Sequence, residues 1–183
     1  MAKRPAGVHV ALLRAINVGG NHKVPMKRLT ELFARAGAAD VRTYIQSGNV
    51  VFRAVDPEAV CADVVKALVR TLDVEVPIVL RTHDELRATV RHSPFAGRDP
   101  EGARVHVAFL AHAPTAAQLT VAAARATPPE ELTLRGRDLY LSFPNGVGRT
   151  KLTNVWLDKT LATTSTLRNW RTVLALVALA DTL

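Results

Sequence analysis

Two six-residue segments of this chain, 97 positions apart, are nearly the same: Val8-His-Val-Ala-Leu-Leu13 and Val105-His-Val-Ala-Phe-Leu110. They agree at five of six positions and are rich in β-branched and apolar residues, so both predict strands. Similar punctuation follows each. After the first come a loop, a helix over about 26–36, a hairpin of 41–45 and 50–54 around Gln46-Ser-Gly-Asn49, a helix over 57–72, a strand over 76–81 and a helix over 84–91. After the second come a helix over 115–126, a hairpin of 132–134 and 139–143 around Arg135-Gly-Arg137, a helix over 152–160, a short strand near 163–165 and a helix over 167–180.

Each half therefore has the order β-α-β-β-α-β-α, whose first six elements are the split βαβ, or ferredoxin-like, order. The expectation is an α+β fold of two tandem ferredoxin-like halves, 1–92 and 93–183, related by a pseudo-twofold and packed as one unit. The stretch Arg91–Gly102, punctuated by Pro and Gly, is the candidate linker, or equally an ordered surface loop. The first two strands of a split βαβ run parallel, which brings the tip Ser47-Gly48-Asn49 and the loop after Leu13 to one end of their sheet.

The chain is 48% hydrophobic over 183 residues, enough for a real core, but only 5% aromatic, so Ala, Val and Leu must fill it. One cysteine, Cys61, excludes an internal disulfide and fits a reducing compartment. The apolar runs are too short for a secretory leader or a spanning helix, so the expectation is a soluble cytoplasmic protein without a membrane partner. The net charge of +8 is uneven: +7 over 1–55, −3 over 56–103 and +4 over 104–183. Such asymmetry suits an acidic partner such as nucleic acid or a nucleotide, or else only a solubilising surface rich in Arg.

Familiar reaction motifs are absent. Gly146-Val-Gly148 is followed by Arg-Thr-Lys151 at the wrong spacing for a P-loop, and no G-x-G-x-x-G follows a strand. There is no G-x-S-x-G elbow and no paired His or Cys at metal-ligand spacing, so neither a metal nor a cofactor is expected. His9 and His106 sit in strands among small apolar neighbours, as structural histidines do. Cys61 lies at helical spacing from Val65 and Leu68, which is core placement. Asp84-Glu85 suits a helix start, and Glu130-Glu131 suits a solvated strand entry. No aromatic pair stands on the opening strands to stack bases as an RNA-recognition sheet does.

What remains is two loops that combine Gly and Asn with cations. One holds Arg14, Asn17, Gly19, Gly20 and Lys23, with the tip residues Ser47 and Asn49 beside it; the other holds Asn145, Gly146, Arg149 and Lys151. Backbone amides in such loops can cradle an anion between flanking cations, or the loops are turns with solvated side chains. Arg168 and Asn169 are expected to open the last helix behind Thr166 as N-cap, facing ligand or water, with Trp170, Val173, Leu174 and Val177 as its core stripe. If the halves are inverted about the pseudo-twofold, the two loops meet in one pocket.

These same stretches carry a resemblance. Leu12-Leu-Arg-Ala-Ile-Asn-Val-Gly-Gly20, Val24-Pro-Met26, Tyr44-Ile-Gln-Ser-Gly-Asn-Val-Val-Phe52, Pro144-Asn-Gly-Val-Gly-Arg-Thr-Lys-Leu152 and Arg168-Asn-Trp170 together resemble the bacterial family named domain of unknown function 1697. The resemblance implies an α+β fold with ferredoxin-like halves and implies no activity. The family pattern has Gly where this chain has Ala15, and often Ser where it has Thr150.

Three functions follow as expectations. The first is binding of an anionic, phosphate-bearing ligand, nucleotide or nucleic acid, through the two loops. The second is metal-independent catalysis on a small anionic substrate, in which Arg14, Lys23, Arg149 and Lys151 bind charge and a Lys or Ser47 performs chemistry. The third is a structural or interaction role through an exposed apolar face of the last helix.

Overall fold

The computed structural model describes residues 5–17 and 23–183. It is α+β, with two four-stranded antiparallel sheets and six α-helices among the described residues. Contacts divide the chain into two compact units: residues 1–87 with 175–183, and residues 88–174. The division falls inside a helix, whose two ends make different contacts.

In the first unit β1 (Gly7–Leu13), β2 (Ala39–Tyr44), β3 (Asn49–Ala54) and β4 (Ile78–Thr82) form a sheet of order β2-β3-β1-β4. β1 is antiparallel to β3, with Val10 opposite Val51, and to β4, with Val10 opposite Arg81. Helices α1 (Met26–Arg35) and α2 (Pro57–Leu72) connect the strands. α2 starts where sequence signals place it: Pro57 fills the first turn and Asp56 accepts a hydrogen bond from the Ala59 N–H at 2.9 Å. Alternation then sorts the side chains. Ala11, Leu13, Val50 and Phe52 join Leu29, Phe33, Val60, Val64 and Leu68 in one core, each such large side chain contributing about 1.5–3 kcal/mol by leaving water. Cys61 lies in this core, its thiol pushed up to about 12 by burial and by nearby Glu58, which leaves it a packing residue.

Helix α3 (His83–Arg91) begins with a reciprocal capping box. The Glu85 N–H donates to the Thr82 hydroxyl at 3.1 Å, and the Thr82 N–H donates to the Glu85 carboxylate at 2.8 Å. In the first unit His83 and Arg87 both reach Asp181 Oδ1 at 2.7 Å, while Thr89, in the second unit, is held by Asp138 and Tyr140.

In the second unit β5 (Val105–Leu110), β6 (Glu131–Arg135), β7 (Asp138–Ser142) and β8 (Ser165–Asn169) form a sheet of order β6-β7-β5-β8. Helices α4 (Ala116–Arg125) and α5 (Asn154–Leu161) join Leu110, Leu139, Leu141 and Phe143 in a second core. Glu130 accepts from the Thr127 N–H and Glu131 pairs with Arg98 at the surface, so that acidic pair is structural.

The end of the chain departs from expectation. Residues 165–169 are a strand, and the last helix, α6, runs Trp170–Ala180. The ladder to β5 pairs His106 with Asn169 and Leu110 with Ser165, which holds Thr166 and Arg168 extended. The cap therefore moves three residues along: Asn169 Oδ1, not the Thr166 hydroxyl, accepts from the Thr172 N–H, at 2.9 Å. The helix phase moves with it. Trp170, Val173, Leu176 and Ala180 are buried, while Leu174 is 44% exposed and Val177 only half-buried. The idea of an exposed apolar face on this helix loses its support.

Candidate functional site

The first loop is built outward from the end of β1. The Leu13 N–H donates to the Gly48 carbonyl at 2.8 Å and the Arg14 N–H to the Pro77 carbonyl at 3.0 Å, so the 46–49 hairpin tip docks on the loop's first residues. Gly48 is required there. Its φ is +76°, and a Cβ on it would lie 2.8 Å from Leu13 Cβ and 2.9 Å from Ile16 Cγ1. Ala15 and Asn17 also take positive φ, +54° and +56°. Ala15 thus adopts the conformation that glycine takes freely, at the cost of about 1 kcal/mol.

Asn17 ties this turn to its surroundings. Its Nδ2 donates to the Val24 carbonyl at 2.8 Å and the Gln46 carbonyl at 2.9 Å, while its Oδ1 accepts from the Val24 N–H at 2.8 Å. Asn49, fully buried, donates to the Tyr44 carbonyl and to the Ser47 hydroxyl. Arg14 is half-buried, and burial lowers its pKa. Gly19 and Gly20 lie outside the described residues.

Beyond Asn17, a cavity of about 590 Å³ is lined by Asn17, Lys23, Val24, Pro25, Met26, Lys27 and Gln46. It opens on the first turn of α1. Pro25 occupies the cap position without a side chain that accepts a hydrogen bond, and no acidic residue stands in the first turn. Lys27 and Arg28 stand there instead, against the positive end of the helix dipole. Arg28 is paired with Glu31 at 3.3 Å; Lys23 and Lys27 have no carboxylate partner among the described residues.

The second loop leaves β7 after Ser142, which stands opposite Val105, while Asn169 stands opposite His106. Loop 143–153 and the Arg168-Asn169 pair therefore share the end of the second sheet where β5 begins. Gly146, at φ +87°, donates its N–H to the Phe143 carbonyl, and the Arg149 N–H returns to the Gly146 carbonyl. A single 3₁₀ turn covers Val147–Arg149. The Thr150 hydroxyl accepts from the Leu152 N–H, the function a Ser hydroxyl would serve there. Asn145, Arg149 and Lys151 are exposed. Arg168 is buried, its pKa lowered to about 10 by burial, and its Nη1 donates to the Thr166 hydroxyl at 2.8 Å and the Leu167 carbonyl at 2.9 Å.

Each unit thus gathers its own candidates at one end of its sheet. Arg14, Asn17, Lys23, Ser47 and Asn49 cluster around the end of β1, and Asn145, Gly146, Arg149, Lys151, Arg168 and Asn169 around the start of β5. Several already have structural duties: Asn17 as clamp, Asn49 as tip anchor, Asn169 as helix cap. For catalysis the layout offers little, since Lys151 is exposed and the Ser47 hydroxyl accepts from Asn49. Lys27 and Gln46 were not among the expected site residues; the signal for Lys27 is a helix start carrying Lys-Arg where acids are usual, and Gln46 has no such signal. Among the described residues no group of three or more His, Cys, Asp or Glu is placed to hold a metal ion, and no helix is long and apolar enough to cross a membrane.

One solved structure with a similar fold is that of conserved bacterial protein SP0830 from Streptococcus pneumoniae, at TM-score 0.73 and 21% identity, covering 96% of this chain and 99% of that one. No curated protein matches the chain. The family described as protein of unknown function (DUF1697) matches residues 7–140, nearly three-quarters of the sequence and all of the Arg14–Lys23 and 46–49 elements. The chain belongs to that family.

Proposed function

We propose that the protein binds a small phosphate-bearing molecule, of the size of a nucleotide, in the cavity at the start of α1. The observation that carries this is the pairing of an open, mostly apolar cavity with cations that have no carboxylate partner among the described residues: Lys23 and Lys27 line it, and α1 has neither cap side chain nor acid in its first turn. Cations at that helix end are unfavourable until an anion arrives, and free helix N–H groups then add to its binding. Val24, Pro25 and Met26 supply surface for the uncharged body of the ligand, and Gln46 an amide for its polar edge. A cavity of about 590 Å³ suits a small ligand better than a continuous polynucleotide backbone. The exposed Arg149 and Lys151 extend the same preference for anions to the second loop.

We also infer that the two units are copies of one ferredoxin-like ancestor. The matched strand orders and the repeated Val-His-Val-Ala segment support this.

The experiment is a thermal-shift and calorimetric series with inorganic phosphate, nucleoside monophosphates and the parent nucleosides. Phosphate-bearing compounds should raise the Tm, nucleosides should not, and the Lys23→Ala/Lys27→Ala variant should weaken binding about tenfold or more. Absence of any shift at low salt would overturn the proposal. Tight binding of oligonucleotides that collapses steeply with salt would replace it by a nucleic-acid role.

A further inference from the structure

Helices α4 and α5, which pack against each other in the second unit, leave a trough of about 500 Å³ between them. It is lined by Ala117, Gln118 and Val121 of α4 and by Trp156, Lys159 and Thr160 of α5. Those positions lie three and four apart on each helix, so the trough runs along the helices rather than across them. Seven of the ten residues of α4 are Ala, Leu or Val, yet Ala122 alone is buried. Helices apolar on nearly every side are ordinarily covered by something. Here Val121 is 55% exposed and Val155, on the neighbouring turn of α5, is 73% exposed. The corresponding helix of the first unit, α1, shows no such surplus: it buries Leu29, Leu32 and Phe33 and carries charge elsewhere.

The charge around the trough has one sign. Lys159 lines it, and the Arg125 guanidinium lies over the Trp156 ring, 4.9 Å from its centroid. No carboxylate lines it, and the one acid of α5, Asp158, accepts from the Ser165 N–H and hydroxyl at 2.7 and 2.6 Å. A second copy of this chain would set the same cations against one another, on a molecule already at +8. A partner rich in carboxylates would instead be drawn in.

We propose that the α4–α5 trough is a docking site for an acidic amphipathic helix of another protein. Its apolar stripe lies over Val121 and Trp156, and its carboxylates meet Lys159 and Arg125. This site is independent of the phosphate cavity of the first unit and stands or falls separately from it.

The test uses the full chain, isotope-labelled, and two designed helical peptides that share a leucine stripe and carry either glutamates or lysines on the other face. The glutamate peptide should shift resonances of α4 and α5 and bind about tenfold or more tighter than the lysine peptide at low salt. Val121→Glu, a change at an exposed position that leaves the core intact, should weaken it about tenfold, and Lys159→Glu should move the preference toward the lysine peptide. Equal binding of both peptides, binding unaffected by Val121→Glu, or no binding of either would overturn the proposal. So would a concentration-dependent dimer that Val121→Glu dissolves, which would make a second copy the occupant.

Discussion

Arg81 and Arg168 occupy the same position in the two sheets: Arg81 stands opposite Val10, and Arg168 opposite Val107, in strands that share the run Val-His-Val-Ala. Both are buried, and each Nη1 donates to the carbonyl of the residue before it, Leu80 at 3.0 Å and Leu167 at 2.9 Å. Because Leu80 and Leu167 pack on the helix-covered cores, each arginine points from the other face of its sheet. Each is followed by the residue that caps the next helix, Thr82 and Asn169. Replacing either by Ala removes a large buried side chain with its hydrogen bonds, and should lower stability by about 2–4 kcal/mol, measured by urea unfolding.

The hairpin tip offers a sharper contrast. Gly48→Ala forces a Cβ to within 3.0 Å of Leu13 and Ile16 at a left-handed φ, whereas Gly136, at φ +59°, has nothing within 4 Å. Gly48→Ala should destabilise by about 2–4 kcal/mol and Gly136→Ala by about 1 kcal/mol. Equal midpoints for the two variants in chemical denaturation would contradict the docking of the tip on the Arg14 loop.

Asn17 can be dissected in the same way. Asn17→Gly keeps the left-handed backbone but loses three hydrogen bonds, and should cost about 1–3 kcal/mol. Asn17→Ala should cost about 1 kcal/mol more, because alanine resists that φ. Differential scanning calorimetry of the pair reads the difference directly.

The start of the last helix separates two capping schemes. Asn169→Ala should reduce stability by about 1 kcal/mol and increase hydrogen exchange at the Thr172 amide. Thr166→Ala removes an acceptor of Arg168 and should leave that amide protected.

Acid sensitivity should begin with histidine. Burial lowers the pKa of His106 below its ordinary 6.5, an effect that outweighs the Arg104 carbonyl and Asp99, which favour the charged ring. The folded state therefore favours the neutral ring: its contribution is complete above pH 6.5 and is lost as pH falls through the lower folded value. His9 is shifted the same way by burial. His106→Gln should flatten the fall in urea midpoint between about pH 7 and about pH 5. Asp99 acts in a separate and lower range. Burial would raise its pKa, but the Val105, Arg104 and Gly102 N–H groups outweigh that and hold it below 3.8.

Periodicity and capping signals were enough to place α2 and β5 to the residue and to anticipate the Glu85 and Cys61 roles, because those depend on nearest neighbours along the chain. The 163–170 segment departs from its sequence pattern for the opposite reason. Its Thr- and Ser-rich run is extended by pairing with β5, sixty residues earlier in sequence, and nothing local announces that ladder. The cavity was half legible: Lys23 and Asn17 were candidates, but Lys27 and Gln46 reach it only through the turn that Asn17 closes. Arg81 stands in a strand of ordinary pattern, and only the register against Val10 makes it the counterpart of Arg168.

Residues 175–183 belong with residues 1–87, and the contacts there are specific: Arg42 to the Thr182 hydroxyl, Arg53 to the Leu183 carbonyl, and His83 with Arg87 to Asp181. On a ribosome, residues 1–87 therefore wait for a segment made about ninety residues later. Residues 88–174 are continuous and can complete their sheet while residues 1–87 still lack their closing piece. The discontinuous first unit thus takes away the head start that vectorial synthesis ordinarily gives an amino-terminal body.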